Sequence, residues 1–211
     1  MKKKILVACL CVALAVLTIA GTTLAYLTSH DTVTNTFTVG NVQIKLDEAQ
    51  VNADGTLVPN ADRVKANSYK LIPGHTYNKD PMVTVLSGSE SSYIKMTVTF
   101  SKANELDAIF APDGADLTSI FTGYNAANWI AKGNTEDTTA NTRTYEFWYK
   151  ETVAAPTADV ALDALFDSIT VPGTITNTQL ATIEGMTITV NAYAIQADGF
   201  ATADAAWEAF N

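Results

Sequence analysis

The chain has 211 residues, 47% of them hydrophobic, with 13 Lys and Arg against 22 Asp and Glu. So apolar a composition excludes a disordered chain, and a net charge of −9 without a basic cluster excludes a nucleic-acid binder, which needs a basic footprint. The two cysteines, Cys9 and Cys11, both lie in the leading apolar segment.

Lys2, Lys3 and Lys4 precede an apolar run from Ile5 to Leu17, the charged and hydrophobic regions of a secretory signal. The run is too short for a comfortable membrane span of roughly 20 residues. Thr23 and Ala25 place small residues three and one positions before a cut, so cleavage is expected between Ala25 and Tyr26. Leu6-Val7-Ala8-Cys9 resembles a lipidation box, but only eight residues stand before Cys9, leaving no segment to insert ahead of it. Loss of residues 1–25 removes three Lys and no acid, leaving 186 residues with 10 basic and 22 acidic side chains, a net charge of −12. The remaining chain would carry no thiol and no disulfide, and would meet the membrane only through the signal segment before cleavage. A chain of this length suits one domain, and its acidity suits solubility outside the cell or affinity for divalent cations.

Behind the cut, Leu27, Val33, Phe37 and Val39 occupy odd positions while the even positions from Thr28 to Thr38 are all Thr or His, a strand pattern. The apolar phase shifts at Gly40, because Asn41 to Asp47 alternates with its apolar residues on even positions. A phase change at glycine predicts a bulge or bend. Further strands are expected at His75–Asn78, Met82–Leu86 and Tyr93–Ser101, the last with Ile94, Met96, Val98 and Phe100 on one face. Residues 103–110 have helical spacing, and the Gly, Asn and Thr-rich stretch 133–142 reads as a long loop or insertion. Arg143–Glu151 reads as an aromatic strand, Ala158–Phe166 as a short helix and Met186–Gln196 as a strand. The last helix is expected over Gly199–Phe210, with Thr202 as its N-cap. Many short strands between turn signals, with few helices, point to an all-β antiparallel sandwich or jelly roll.

The catalytic inventory is thin. His30 and His75 stand outside any H-E-x-x-H pattern, so a zinc site would have to borrow carboxylates from distant strands. Ser87-Gly88-Ser89-Glu90-Ser91 lacks the nucleophile elbow. The turns Asn52-x-Asp54-Gly55 and Asp113-Gly114-Ala115-Asp116 could lend oxygens to Ca²⁺, but neither supplies a full ligand loop. No catalytic residue, metal ligand or cofactor site is therefore assigned, with Ca²⁺ and Zn²⁺ left open.

The block from Gly21 to Ala25, then Tyr26-Leu27-Thr28 and Thr34-Asn35-Thr36-Phe37-Thr38-Val39-Gly40-Asn41-Val42, resembles the TasA/camelysin family of Gram-positive bacteria. Ile72-Pro73-Gly74, Lys79-Asp80-Pro81-Met82-Val83, Ser92 to Met96 and Ala192 to Gln196 extend the resemblance. It implies a precursor cut by the SipW type of signal peptidase, and a jelly-roll β-sandwich with a few short peripheral helices. It also implies a subunit of extracellular biofilm matrix fibres that donates its N-terminal strand to a neighbour. On that reading residues 1–25 are the signal peptide, 26–40 the donated segment and 41–211 the jelly-roll domain. Leu27, Val33, Phe37 and Val39 become its contacts with the next subunit and Gly40 a bend at the boundary. The implied partners are further copies joined head to tail, the signal peptidase, and an accessory matrix or anchoring protein. Two alternatives stand beside it: a secreted metallopeptidase, as camelysins are described, and a monomeric surface adhesin that binds through residues 102–142.

Overall fold

Ser92–Ser101 sets the layout of the body, because its apolar side chains alternate from Ile94 to Phe100 and both its neighbours are strands. Ile94, Met96, Val98 and Phe100 are fully buried on one face, each contributing about 1.5–3 kcal/mol through burial. The computed structural model describes residues 40–110 and 117–210, which fall in the compact unit Val39–Asn211. The strands are β1 (Ile44–Asp47), β2 (Thr76–Asn78), β3 (Met82–Val85), β4 (Ser92–Ser101), β5 (Phe121–Thr122), β6 (Trp129–Asp137), β7 (Thr142–Tyr149), β8 (Val160–Ala161), β9 (Ser168–Thr170) and β10 (Ile188–Gln196). Three short helices accompany them: α1 (Ala103–Phe110), α2 (Asn177–Thr182) and α3 (Ala203–Phe210). A 3-10 turn, Leu117–Ile120, leads into β5.

The described strands form three antiparallel sheets, ordered β1-β3-β8, β10-β4-β7-β6 and β2-β9-β5. The mostly β architecture with a few short helices therefore agrees with expectation. One core joins all three sheets, through Val83 and Val85, through Met96 and Phe147, and through Tyr77 and Phe121. Phe121 stacks on Phe166 at 3.9 Å between ring centroids. No helix among the described residues is long and apolar enough to cross a membrane.

Two sequence expectations are overturned. Residues 133–142 are not a loop: β6 runs to Asp137 and pairs with β7, after a register shift between Ala131 and Gly133. Its residues after Trp129 are exposed on both faces, so no alternation marks them as a strand. Residues 158–166 form no helix. Val160 and Ala161 pair with Val85 and Thr84, and Leu162, Leu165 and Phe166 enter the core from irregular chain. Their helical spacing reflects three separate core contacts.

The C-terminal helix forms as expected, with Thr202 Oγ1 accepting from the Ala205 N–H at 3.2 Å. It lies on the outer face of the large sheet, where Tyr193 meets Phe210 at 5.7 Å between centroids and Lys95 Nζ stands 4.7 Å from the Trp207 ring. The helix α2 was not anticipated. Thr176 and Gln179 close a capping box there, the T-x-x-Q signal that the sequence carries.

Candidate functional site

The strand β10 is the outermost member of the large sheet, and among the described residues only β4 pairs with it. At its two ends the Ser101 N–H donates to the Thr187 carbonyl and the Ala197 N–H to the Ser91 carbonyl. Alternation of hydrogen-bonded pairs then turns the backbone groups of odd residues toward β4 and those of Ile188, Val190, Ala192, Ala194 and Gln196 outward. Along this nine-residue strand the five even residues thus present a row of donors and acceptors about 30 Å long that no other described strand pairs with. The side chains of Ile188, Val190, Ala192 and Ala194 lie against the core yet stay only half-buried.

Beside this edge runs a groove of about 1140 Å³. Leu46, Leu180, Ile183, Ile188 and Val190 supply much of its apolar wall. It is larger than most small-molecule sites, which run to roughly 1,000 Å³, and suits a segment of chain better than a compact ligand. Its far side is β1 with the strap Arg63–Leu71, which is held there by backbone and side-chain hydrogen bonds together. Glu48 and Val64 exchange two backbone hydrogen bonds, at 2.9 and 2.8 Å, and Lys65 Nζ donates to the Leu46 carbonyl.

Arg63 is the main clamp. Its guanidinium meets Asp47 at 2.5 Å and Asp80 at 2.8 Å, and donates to both residues' carbonyls. Burial alone would raise the Asp47 carboxyl, but Lys45 and Arg63 outweigh it and hold Asp47 below the usual carboxylate range. Deeper in the groove, Lys79 Nζ and Glu48 Oε2 pair at 2.6 Å with both side chains buried. Asn67 Nδ2 donates to Glu48 Oε1 at 3.0 Å. Burial, then the Glu48 charge, pushes the Tyr69 hydroxyl well above its ordinary value, so it remains a neutral donor to the Asn78 carbonyl. Tyr77 pins the end of the strap, its hydroxyl donating to the Lys70 carbonyl at 2.8 Å and accepting from the Ile72 N–H at 2.6 Å.

The residues assigned from sequence fall mainly elsewhere. Thr23, Ala25, Tyr26, Leu27, His30, Val33, Phe37 and Val39 lie outside the described residues. Gly40 is described, and it is packed tightly: a Cβ there would stand 2.7 Å from Glu90 Oε1. The chain from Gly40 to Val42 borders a smaller hollow of about 430 Å³ with Ala194, Ile195 and Gln196, so the body begins beside the C-terminal end of β10. His75 precedes β2, its ring 6.3 Å from that of Tyr77. Among the described residues no three His, Cys, Asp or Glu side chains cluster as a metal would require. In the turn at Asn52–Gly55, Asp54 Oδ1 already accepts from the Thr56 N–H and hydroxyl.

Residues 1–72 match the model of the camelysin metallo-endopeptidase family. The TasA/camelysin resemblance is therefore shown over that span, which takes in β1 and the strap and ends before β2. No curated protein and no solved structure matches the chain. Sequence reasoning missed the β10 edge, the strap and the Glu48–Lys79–Asn67 cluster. Alternation marked β10 as a strand, but its lateral neighbours leave no local signal.

Proposed function

We propose that the chain is a secreted structural subunit of extracellular matrix fibres, in which residues 26–40 of one copy pair with β10 of the next. The observation that carries this reading is the edge of β10, which no described strand but β4 pairs with, beside a groove whose apolar walls are only half-covered. An exposed edge is a hazard in a solitary molecule and a template in an assembly. An incoming strand would satisfy the outward backbone groups of the even residues of β10 and fill the groove with alternate side chains. The leading segment has the required pattern, with Leu27, Val33, Phe37 and Val39 on one face and Thr or His on the other. The jelly-roll arrangement that the resemblance implies belongs to the same reading. Because the contact joins two different surfaces, repetition extends a filament and need not close.

Export by the signal segment, cleavage at Ala25–Tyr26 by a SipW-type peptidase, and an accessory matrix or anchoring partner complete the proposal. Purified protein beginning at Tyr26 should form filaments in negative-stain electron microscopy, while protein beginning near Asn41 should stay monomeric. Equal filament formation by both removes strand donation. The family description favours a second reading, a secreted metallo-endopeptidase. Chelator-sensitive hydrolysis of casein, lost on changing His30 or His75, would select it over the fibre subunit.

A further inference from the structure

The floor of the groove holds three side chains whose arrangement exceeds what an ion pair requires. Lys79 and Glu48 are each only 7% exposed. Lys79 Nζ lies 2.6 Å from Glu48 Oε2, and Asn67 Nδ2 lies 3.0 Å from Oε1 of the same carboxylate. The Asn67 carboxamide is fixed at both ends, since Nδ2 also donates to the Ala49 carbonyl at 2.9 Å and Oδ1 accepts from the Val51 N–H at 3.0 Å. An amine, a carboxamide and one carboxyl group bridging them are the components of amide aminolysis. We propose that Lys79 and Asn67 become joined by an intramolecular isopeptide bond, with Glu48 as the proton carrier. The bond is independent of the fibre reading, since all three residues belong to one chain.

Each group has an assigned task. Lys79 passes one proton from Nζ to Glu48 Oε2, turning a buried charge pair into a neutral one and freeing the nitrogen lone pair. Nζ then attacks Asn67 Cγ. The four-carbon stem lets it swing from one oxygen of Glu48 toward the carboxamide held by the other, to the roughly 3–3.5 Å that attack requires. Charge developing on Oδ1 faces the Val51 N–H, which already donates to that atom.

As the tetrahedral centre collapses, Glu48 hands the proton it took to Nδ2, the Cγ–Nδ2 bond breaks, and the carboxylate so regenerated takes the second proton of Nζ, since it is already bound to both nitrogens. Ammonia leaves into the groove, which Glu48, Asn67 and Lys79 all line. Glu48 ends neutral, holding the second proton of Nζ in place of the first, so no unpaired charge stays buried. Atoms balance without an oxidant or a co-reactant: amine and carboxamide give a secondary amide and ammonia.

Intact-mass measurement of the secreted protein, referenced to its sequenced N-terminus, tests this directly. The chain should be lighter than its sequence by one ammonia, ~17 Da, as replacement of an amide nitrogen by an amine requires. Tandem mass spectrometry of a digest should find a branched peptide joining Lys79 to Asn67. Both Glu48→Gln and Lys79→Arg should restore the full mass. A folded wild-type chain of full sequence mass overturns the proposal whether or not either variant folds. So does an ammonia loss that persists in Lys79→Arg, because cyclisation at Asn67-Ser68 would then account for it.

Discussion

The large sheet has two outer strands, and they differ in register and in charge. The strand β6 departs from regular pairing where its register shifts between Ala131 and Gly133, the latter at φ 115°. It also carries Lys132, Glu136 and Asp137 along nine residues. Bulges and charges are the usual means of discouraging another strand from adding to an edge. The strand β10, of the same length, pairs with β4 in unbroken register and contains no charged residue and no proline. Among the described residues one edge is defended and the other is left without a second partner, and the groove lies beside the latter. That asymmetry is what the proposed pairing at β10 would require.

The contrast can be broken most severely at β10 itself. Proline at Ala192 removes one outward N–H while leaving the β4 hydrogen bonds of Asn191 and Tyr193 in place, a position an edge strand tolerates. Ala192→Pro should abolish filaments in electron microscopy while the melting profile changes little, and filaments formed by this folded variant would sink the assignment of β10 as acceptor. A smaller effect is expected from disarming the other edge. Replacing Lys132, Glu136 and Asp137 together by Val in the Ala192→Pro background should bring back self-association, seen by light scattering as larger, less regular species.

The mildest test concerns the strap across the groove. Asp47→Asn should lower unfolding stability by about 1–3 kcal/mol at pH 7 through the weakened bonds to Arg63 and Lys45. The folded-state carboxyl lies below its ordinary value, so its contribution is complete above that value, about 3.9, and fades as pH falls through the lowered one. Chemical denaturation as a function of pH should therefore show the difference between wild type and variant narrowing only in the acid range. A constant difference would contradict the role given to Asp47.

Much of this body was legible because a period of two survives wherever one face is buried. Ile94 to Phe100 and Ile188 to Ala194 both declared themselves as strands in that way. Residues 133–137 did not, because a strand wet on both faces has no reason to alternate. Leu162, Leu165 and Phe166 misled for the converse reason: core contacts made from irregular chain can fall at helical spacing by coincidence. The cluster on the groove floor was illegible in principle. Glu48, Asn67 and Lys79 are spread over 31 residues in three chemically unrelated contexts, and only folding brings them to one carboxylate.

The helix α3 gives the open edge a further property. By laying Trp207 and Phe210 over Lys95 and Tyr193, it braces β10 from behind along the half that ends at Gln196. A lone outer strand tends to fray, and a frayed template must be straightened before anything can zip onto it. Splinted in this way, β10 has little ordering left to lose, so in the proposed assembly the entropic toll of docking would fall almost wholly on the arriving segment.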